Sequence, residues 1–243
     1  MPNAALGRFL EISLYAPAIR ESLAFYESLG FVQATVGETW PYPYAVITDG
    51  RLFIGLHGQA VRAPALTFVR PDVSHAVREL ESRGVVFDEV HLGEDVFNRA
   101  VFSDPAGQVV NLWEARTFSP PQMESPAATT CGYFTEYAMP ARETQVVCAF
   151  WESLGFVGME EQLLPFARTE LTSDHLDIAF YRTRTLRQPV LTFEDDHMRE
   201  RLTRLRERGF NLSDEMPDTL DESLNAVLIA PEGTRLLLMQ SAA

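Results

Sequence analysis

The chain contains no lysine, because all 20 basic residues among its 243 residues are arginine. Enzymes that use a lysine Schiff base or a lysine general base are therefore excluded. Cysteine is scarce as well: Cys131 and Cys148 are too few for a disulfide framework, which favours a reduced, cytoplasmic protein. The N-terminal stretch lacks the pattern of a secretory signal peptide, and no apolar run approaches the ~18–20 residues of a membrane span.

Positive charge is in deficit. The 34 acidic residues outnumber the basic ones and give a formal net charge of −14. Such a surface repels nucleic-acid phosphates and anionic lipid, so neither is an expected partner. It is compatible with a cationic small molecule, although acidity also simply keeps a protein soluble.

Several segments occur twice at a fixed distance. "AFYESLGF" at Ala24–Phe31 returns as "AFWESLGF" at Ala149–Phe156, and "PALTFV" at Pro64–Val69 returns as "PVLTFE" at Pro189–Glu194, both 125 residues later. A fixed offset over separate segments indicates a repeated domain.

The repeat places two domains on the chain. They are predicted at 1–117 and 131–243, joined by a linker rich in Pro, Ser and Thr at 118–130.

Each domain also divides in two. After an alternating strand, Ile19, Leu23 and Tyr26 form one helical face that ends at Gly30, and short strand-like runs follow. The pattern restarts with Asp72 as a helix N-cap. The predicted fold is α+β, with four βαβββ modules that pair and curl their sheets around a cavity.

The helix end "SLAFYESLGF" and the last strand "DPAGQVVNLWE" resemble the vicinal oxygen chelate superfamily, which includes glyoxalase I, extradiol dioxygenases and bleomycin-binding proteins. The resemblance covers nearly the whole chain. It implies two tandem domains and, in enzymatic members, a divalent metal held by His, Gln or Glu on the first strand of each module and by Glu or His on the last. One scaffold with many chemistries specifies the fold better than the function.

Most of the implied ligand positions carry no ligand side chain. The eight implied positions are Glu11, Gly55, Ala65 and Asn111 in the first domain and Glu136, Ala179, Val190 and Leu237 in the second. We therefore expect no metal and no other cofactor. The alternative is a 2-His-1-carboxylate set of Glu11, His57 and His91, which would suit a divalent metal such as Fe, Zn, Mn or Ni.

Strand alternation and an aromatic segment predict the lining of the first cavity. The predicted ligand-binding residues are Glu11, Ser13, Tyr15, Trp40, Tyr42, Phe53, His57, Thr67, Asn111 and Trp113. Glu11 would serve as a general base or as an anchor for a cation, unless neighbours such as Ser13 satisfy it.

Two functions follow from this lining. The favoured one is a metal-free small-molecule binding protein, like the drug-sequestering branch of the superfamily, for a cationic or aromatic compound. The alternative is a divergent metal-dependent lyase or dioxygenase, or an acid–base catalyst that uses Glu11.

The first domain is expected to hold the functional cavity. The second reads as a degenerate copy, because Leu237 replaces Asn111 and Ala230 replaces the Asp of the "DPAG" turn. A homodimer is possible, and the sequence leaves open whether modules pair within a domain or between chains.

Overall fold

A computed structural model describes residues 5–36, 40–115 and 129–241; most of the predicted linker at 118–130 therefore lies outside the described residues. The first domain contains β1 Arg8–Tyr15, α1 Ile19–Ser28, β2 Val32–Ala34, β3 Tyr44–Thr48, β4 Phe53–His57, β5 Ala65–Arg70, α2 Val73–Ser82, β6 Phe87–His91, β7 Arg99–Ser103 and β8 Val109–Glu114. The second domain contains β9 Tyr133–Pro140, α3 Thr144–Ser153, β10 Val157–Gly158, β11 Arg168–Thr172, β12 Ile178–Tyr181, β13 Val190–Asp195, α4 Met198–Glu207, β14 Leu212–Ser213, β15 Ala226–Ile229 and β16 Arg235–Gln240.

The βαβββ order occurs four times, as predicted. Helix α1 is followed by Gly30 with φ of 99°, a left-handed conformation that glycine adopts without a Cβ clash. Asp72 caps α2, its carboxylate accepting a hydrogen bond of 2.8 Å from the backbone N–H of His75. In the described part of the chain, no helix is long and apolar enough to cross a membrane.

Two modules pair within each domain to form one eight-stranded mixed sheet. The strand orders are β2-β3-β4-β1-β5-β8-β7-β6 and β10-β11-β12-β9-β13-β16-β15-β14. The modules meet at antiparallel pairs, β1 with β5 and β9 with β13. In the first domain β4 runs parallel to β1, and β8 runs parallel to β5. Within this single chain the modules pair inside a domain, which is one of the two arrangements that the sequence left open.

A bulge in β1 decides which face each side chain takes. The register shifts between Phe9 and Glu11, so that Leu10 is an extra residue opposite β5. Phe9 and Ile12 consequently lie in the same core cluster, three residues apart, while Glu11 faces the other side of the sheet. The second domain has the same shift beside Glu136. We call the face that carries Glu11 or Glu136 the inner face of each sheet.

The opposite faces of both sheets pack with the helices into one core that spans the two domains. Rings from the two domains meet there, with centroids 6.1 Å apart for Phe31 and Phe193 and 6.0 Å apart for Phe25 and Phe210. The domains are therefore joined by hydrophobic packing.

The turns before β8 and β16 also hold the domains together. Asp104 accepts a hydrogen bond of 2.9 Å from the Trp151 indole, and Glu232 accepts one of 2.7 Å from the Tyr26 hydroxyl. Asp104 thus serves the domain interface. The prediction that Ala230 in place of Asp104 marks lost function is wrong, because Glu232, two residues later, makes the equivalent contact across the interface.

Candidate functional site in the first domain

Glu11 lies at the centre of the inner face of the first sheet and is 1% exposed. Its Oε1 accepts hydrogen bonds from the Ser13 hydroxyl at 2.8 Å and from His57 Nε2 at 3.0 Å. Its Oε2 accepts a bond of 2.5 Å from the Tyr44 hydroxyl. Strands β1, β3 and β4 each supply one or more of these residues, so both carboxylate oxygens are engaged although the group is buried.

Gly55 provides the space that this carboxylate occupies. It lies beside Ser13 in the parallel β1–β4 register, and a Cβ placed on it would lie 2.1 Å from Glu11 Oε1. The resemblance assigned a ligand position to this residue; in this chain the Glu11 carboxylate fills the space that a side chain at position 55 would need.

The network continues across the sheet to β5 and β8. The Ser13 and Thr67 hydroxyls are 2.7 Å apart, and Asn111 Nδ2 donates to the Thr67 hydroxyl at 3.1 Å. Because Ser13 donates to Glu11, Thr67 must donate to Ser13. Every donor in this series of hydrogen bonds therefore points toward Glu11.

At the other end, His57 Nδ1 lies 3.1 Å from the Tyr42 hydroxyl. An ionised Glu11 can only accept, so His57 Nε2 carries a proton, and in a neutral imidazole Nδ1 accepts from Tyr42. Burial and the nearby Glu11 raise the pKa of Tyr42, with Arg99 opposing them, and the same two causes raise that of Tyr44 well above its ordinary value. Both tyrosines thus keep their protons as donors.

Aromatic rings cover the network. Trp40 stacks on Tyr42 with centroids 5.5 Å apart and contacts Trp113 edge-on at 4.9 Å and Phe97 at 5.6 Å. The centroids of His57 and Trp113 are 6.1 Å apart, although β4 and β8 are separated by two strands, about 14 Å across a flat sheet. The side chains therefore converge over the inner face.

The remaining predicted residues lie further away. Phe53 begins β4 on the same face, half-buried. Tyr15 is 39% exposed at the end of β1 and lines a cleft of 390 Å³ between the domains. His91 ends β6 and is exposed. The set Glu11, His57 and His91 is not brought together.

Phe97 is a member of the site that the sequence does not indicate, whereas Tyr44 belongs with Trp40 and Tyr42 to the Pro-stiffened segment "TWPYPY". The Asp49-Gly50 turn predicts the hairpin of β3 and β4 that carries Tyr44, and the observed register puts Tyr44 opposite His57. Phe97 follows no strand pattern and only the tertiary structure brings it to Trp40. Whether the gathered residues bind a ligand stays a prediction.

The side chains present fit the implied metal poorly. Glu11 and His57 supply two ligands, Gly55 and Ala65 supply none, and Asn111 is already bonded to Thr67. Within residues 5–36, 40–115 and 129–241, no group of three or more His, Cys, Asp or Glu side chains could hold a metal ion. The usual three-ligand set is thus incomplete in its protein donors.

The inner face of the second sheet is mostly apolar. A buried cluster occupies the positions that match Ser13, Gly55, His57, Ala65, Asn111 and Trp113, with Ala138, Ala179, Tyr181, Val190, Leu237 and Met239. In place of Tyr44 stands Arg168, whose Nη1 lies 3.2 Å from Glu136 Oε1.

Glu136 and Thr192 are two of the polar residues on that face. Burial, opposed by Arg168, raises the pKa of Glu136 to about 7. The buried Thr192 hydroxyl, which matches Thr67, has no hydrogen-bond partner within the described residues.

No protein-family model matches the sequence, and no curated protein matches it either. Solved structures do. The chain is similar to a catechol 2,3-dioxygenase, with a TM-score of 0.63 and 15% identity over 97% of this chain and 88% of that one. It is also similar to the 2,3-dioxygenase LapB from Pseudomonas sp. KL28, with a TM-score of 0.63 and 16% identity over 99% and 94% of the two chains.

A third similar structure is 2,2',3-trihydroxybiphenyl 1,2-dioxygenase from Sphingomonas wittichii strain RW1, with a TM-score of 0.63 and 16% identity over 96% and 90%. Identity this low establishes the fold and leaves the activity open. The strand order, the four modules and these structures agree, and the chain has the tandem vicinal oxygen chelate fold found in extradiol dioxygenases.

Proposed function

We propose that the first domain binds a small, planar aromatic molecule in the site above Glu11 and exchanges a proton with it through the relay Glu11–His57–Tyr42. The observation that carries this proposal is the unbroken hydrogen-bond chain from Glu11 through His57 to Tyr42 beneath a cover of aromatic rings. In the matching place the second domain has Tyr181 and apolar side chains.

The aromatic cover favours a flat ligand. Trp40, Tyr42 and Trp113 present ring faces and edges, which attract an aromatic ring in stacked or edge-on geometry with about 0.5–1.5 kcal/mol for each contact. The site therefore supports the aromatic part of the expectation from sequence more than the cationic part. Glu11 is a poor anchor for a cation, since it is buried and three donors already occupy its oxygens.

Proton transfer is the chemistry that this arrangement permits. Glu11 fixes the orientation and tautomer of His57, whose Nδ1 accepts a hydrogen bond from Tyr42 and can take the Tyr42 proton only as a ligand O–H replaces it. Tyr42 is the half-buried outer end of the relay, so an acidic O–H of a ligand beside it would exchange its proton through Tyr42 with His57. The similar structures are named for enzymes that act on catechol and trihydroxybiphenyl, which agrees with a hydroxylated aromatic ligand.

The test is a thermal-shift screen with hydroxylated, cationic and anionic aromatic compounds, with and without a chelator. A ligand that binds only the native state raises the melting temperature. We expect hits among hydroxylated aromatics, unchanged by the chelator and weakened roughly tenfold in affinity by Tyr42→Phe. A broad panel without a hit, or a hit that Tyr42→Phe leaves unchanged, would contradict the proposal.

A metal-dependent dioxygenase or lyase is the second candidate. The observation that favours it is that Glu11 Oε1 and His57 Nε2 lie 3.0 Å apart in one site, since a carboxylate and an imidazole are side chains that would hold a divalent metal. A third donor would have to come from outside the acidic, His and Cys side chains described here.

Elemental analysis of protein purified without chelators separates the two candidates. Stoichiometric Fe, Zn, Mn or Ni that is lost in His57→Ala and retained in Tyr181→Ala would favour the metal enzyme. Metal far below one equivalent, with aromatic binding intact, would favour the metal-independent site.

A further inference from the structure

A second cavity lies outside the aromatic site, between the second domain and one turn of the first. It has a volume of 1160 Å³ and is lined by the loop after β12, by the start of α3 and by Pro105 and Ala106 of the first domain. Pockets that bind organic ligands usually have volumes of about 300–1000 Å³, so this cavity is large enough for such a ligand. We call this cavity the arginine groove.

Positive charge is concentrated in the arginine groove. Its lining contains Arg142, Arg182, Arg184 and Arg187, with Glu143 as its one acidic residue. The whole chain has 20 basic residues and a net charge of −14, so four arginines around one cavity make its lining positive in a protein that is negative overall. A concave surface lined by one sign of charge focuses the field and attracts the opposite charge.

Of the four guanidinium groups, only that of Arg182 forms an ion pair with an acidic residue that the structure describes. Arg182 pairs with Glu161 at 2.8 Å, and Arg187 Nε donates to the Arg184 carbonyl oxygen. Arg142 and Arg184 form no ion pair with any residue that the structure describes. Their donors are available, and a planar guanidinium suits the paired oxygens of phosphate or carboxylate.

The first domain has no counterpart to this charge. Its matching loop, at 58–64, contains one arginine, Arg62, which is held by Asp88 at 2.8 Å. At the position that matches Arg142 the first copy has Pro17. Arg62 aligns with Arg187 at the 125-residue offset, whereas Arg142, Arg182 and Arg184 occur only in the second copy and are not required by the shared fold.

We propose that the arginine groove binds a small organic polyanion, a phosphate ester or a polycarboxylate, through Arg142 and Arg184. The occupant is a small molecule because the net charge of −14 on the whole chain repels an extended polyanion such as a nucleic acid. Binding here is independent of the aromatic site, since the groove is lined almost entirely by the second domain.

Isothermal titration with inorganic pyrophosphate and with citrate, at about 50 mM salt, tests this site and separates the two anion classes. We expect one of them to bind to the full chain and to lose affinity as salt is raised to roughly 200 mM. The double variant Arg142→Gln/Arg184→Gln should weaken binding at least tenfold, because it removes charge-assisted hydrogen bonds.

A matched control removes the same charge elsewhere. Arg20→Gln/Arg206→Gln lowers the net charge equally at exposed positions of α1 and α4, and it should leave the affinity within about twofold. All four arginines are exposed, so both variants should keep the melting temperature of the parent. Failure of both anions to bind, or an equal loss in the two double variants, would overturn the proposal. Neither outcome would affect the aromatic site.

Discussion

Glu11 and Glu136 occupy the same place in the two domains, yet their surroundings differ. Each follows the bulge in the first strand of its domain and faces a threonine across the central strand pair. Around Glu11 the donors are hydroxyls and an imidazole, whereas Glu136 faces Arg168 among apolar side chains. One backbone thus supports two solutions for a buried carboxylate.

The difference shows what stabilises a buried polar group on the inner face of such a sheet. In the first domain the hydroxyls of Ser13 and Thr67 and the amide of Asn111 form one chain, so each has a partner. In the second, Ala138 and Leu237 replace two of the three, and the hydroxyl of Thr192 is left without a bond in the described part of the chain. Partial loss of such a network therefore leaves a buried polar group without a partner, which costs stability.

The largest effect on stability is expected from Gly55→Ala. The new Cβ would displace the Glu11 carboxylate, and its three donors would lose their acceptor, at a cost of roughly 2–4 kcal/mol. Chemical denaturation measures the loss. Ala179→Gly at the matching position should cost about 1 kcal/mol or less, and an equal loss in both variants would mean that the two sites do not differ in this way.

Glu136 should make stability depend on pH. Burial raises its pKa from 4.5 to about 7, so the folded state binds this proton more tightly than the unfolded state. Its contribution is complete below about pH 4.5 and is lost as the pH rises to about 7, a change on the order of 2–3 kcal/mol.

The variant Glu136→Gln lacks this titration. Denaturation at pH 5 and pH 8 should therefore show that the free energy of unfolding of the parent protein falls between the two values relative to that of the variant. The control variant Glu27→Gln, at an exposed position, should show the same change in free energy of unfolding as the parent. A constant difference between Glu136→Gln and the parent across this range would contradict the raised pKa.

Asn111→Leu should separate binding from folding. Leu237 shows that the fold accepts leucine at this position, so the melting temperature should change little. Affinity for a hydroxylated aromatic should fall about tenfold, or about 1.4 kcal/mol, because one polar group of the site is lost. Glu136→Gln is the control for binding. A collapse of affinity in that variant, with Asn111→Leu unaffected, would reverse the assignment of the two domains.

The smallest effects are expected from a pair of identical substitutions. Thr192→Val removes a buried hydroxyl without a partner and should stabilise the protein by about 0.5–1 kcal/mol. Thr67→Val breaks two hydrogen bonds and should destabilise it by about 1–2 kcal/mol. The same sign for both variants in denaturation experiments would mean that the threonines have equivalent surroundings.

Much of the fold was predictable from local patterns. The 125-residue repeat, the helix end at Gly30 and the cap at Asp72 all depend on neighbours in sequence, and the structure confirms the α+β fold with four modules. Strand alternation also predicted that Glu11, Ser13 and Thr67 share one face, and the structure joins them in one network.

Other features required contacts between distant segments. The sequence determined by itself the modules, their duplication and the loss of most ligand positions, because periodicity and turn residues act over a few residues. Only the tertiary structure decided that Gly55 makes room for a carboxylate, that His91 stays exposed while Phe97 joins the aromatic cover, and that Asp104 binds Trp151 across the domain interface. The physical reason is that sheet register and packing bring together residues far apart in the chain, and these long-range contacts fix the partners of each buried polar group.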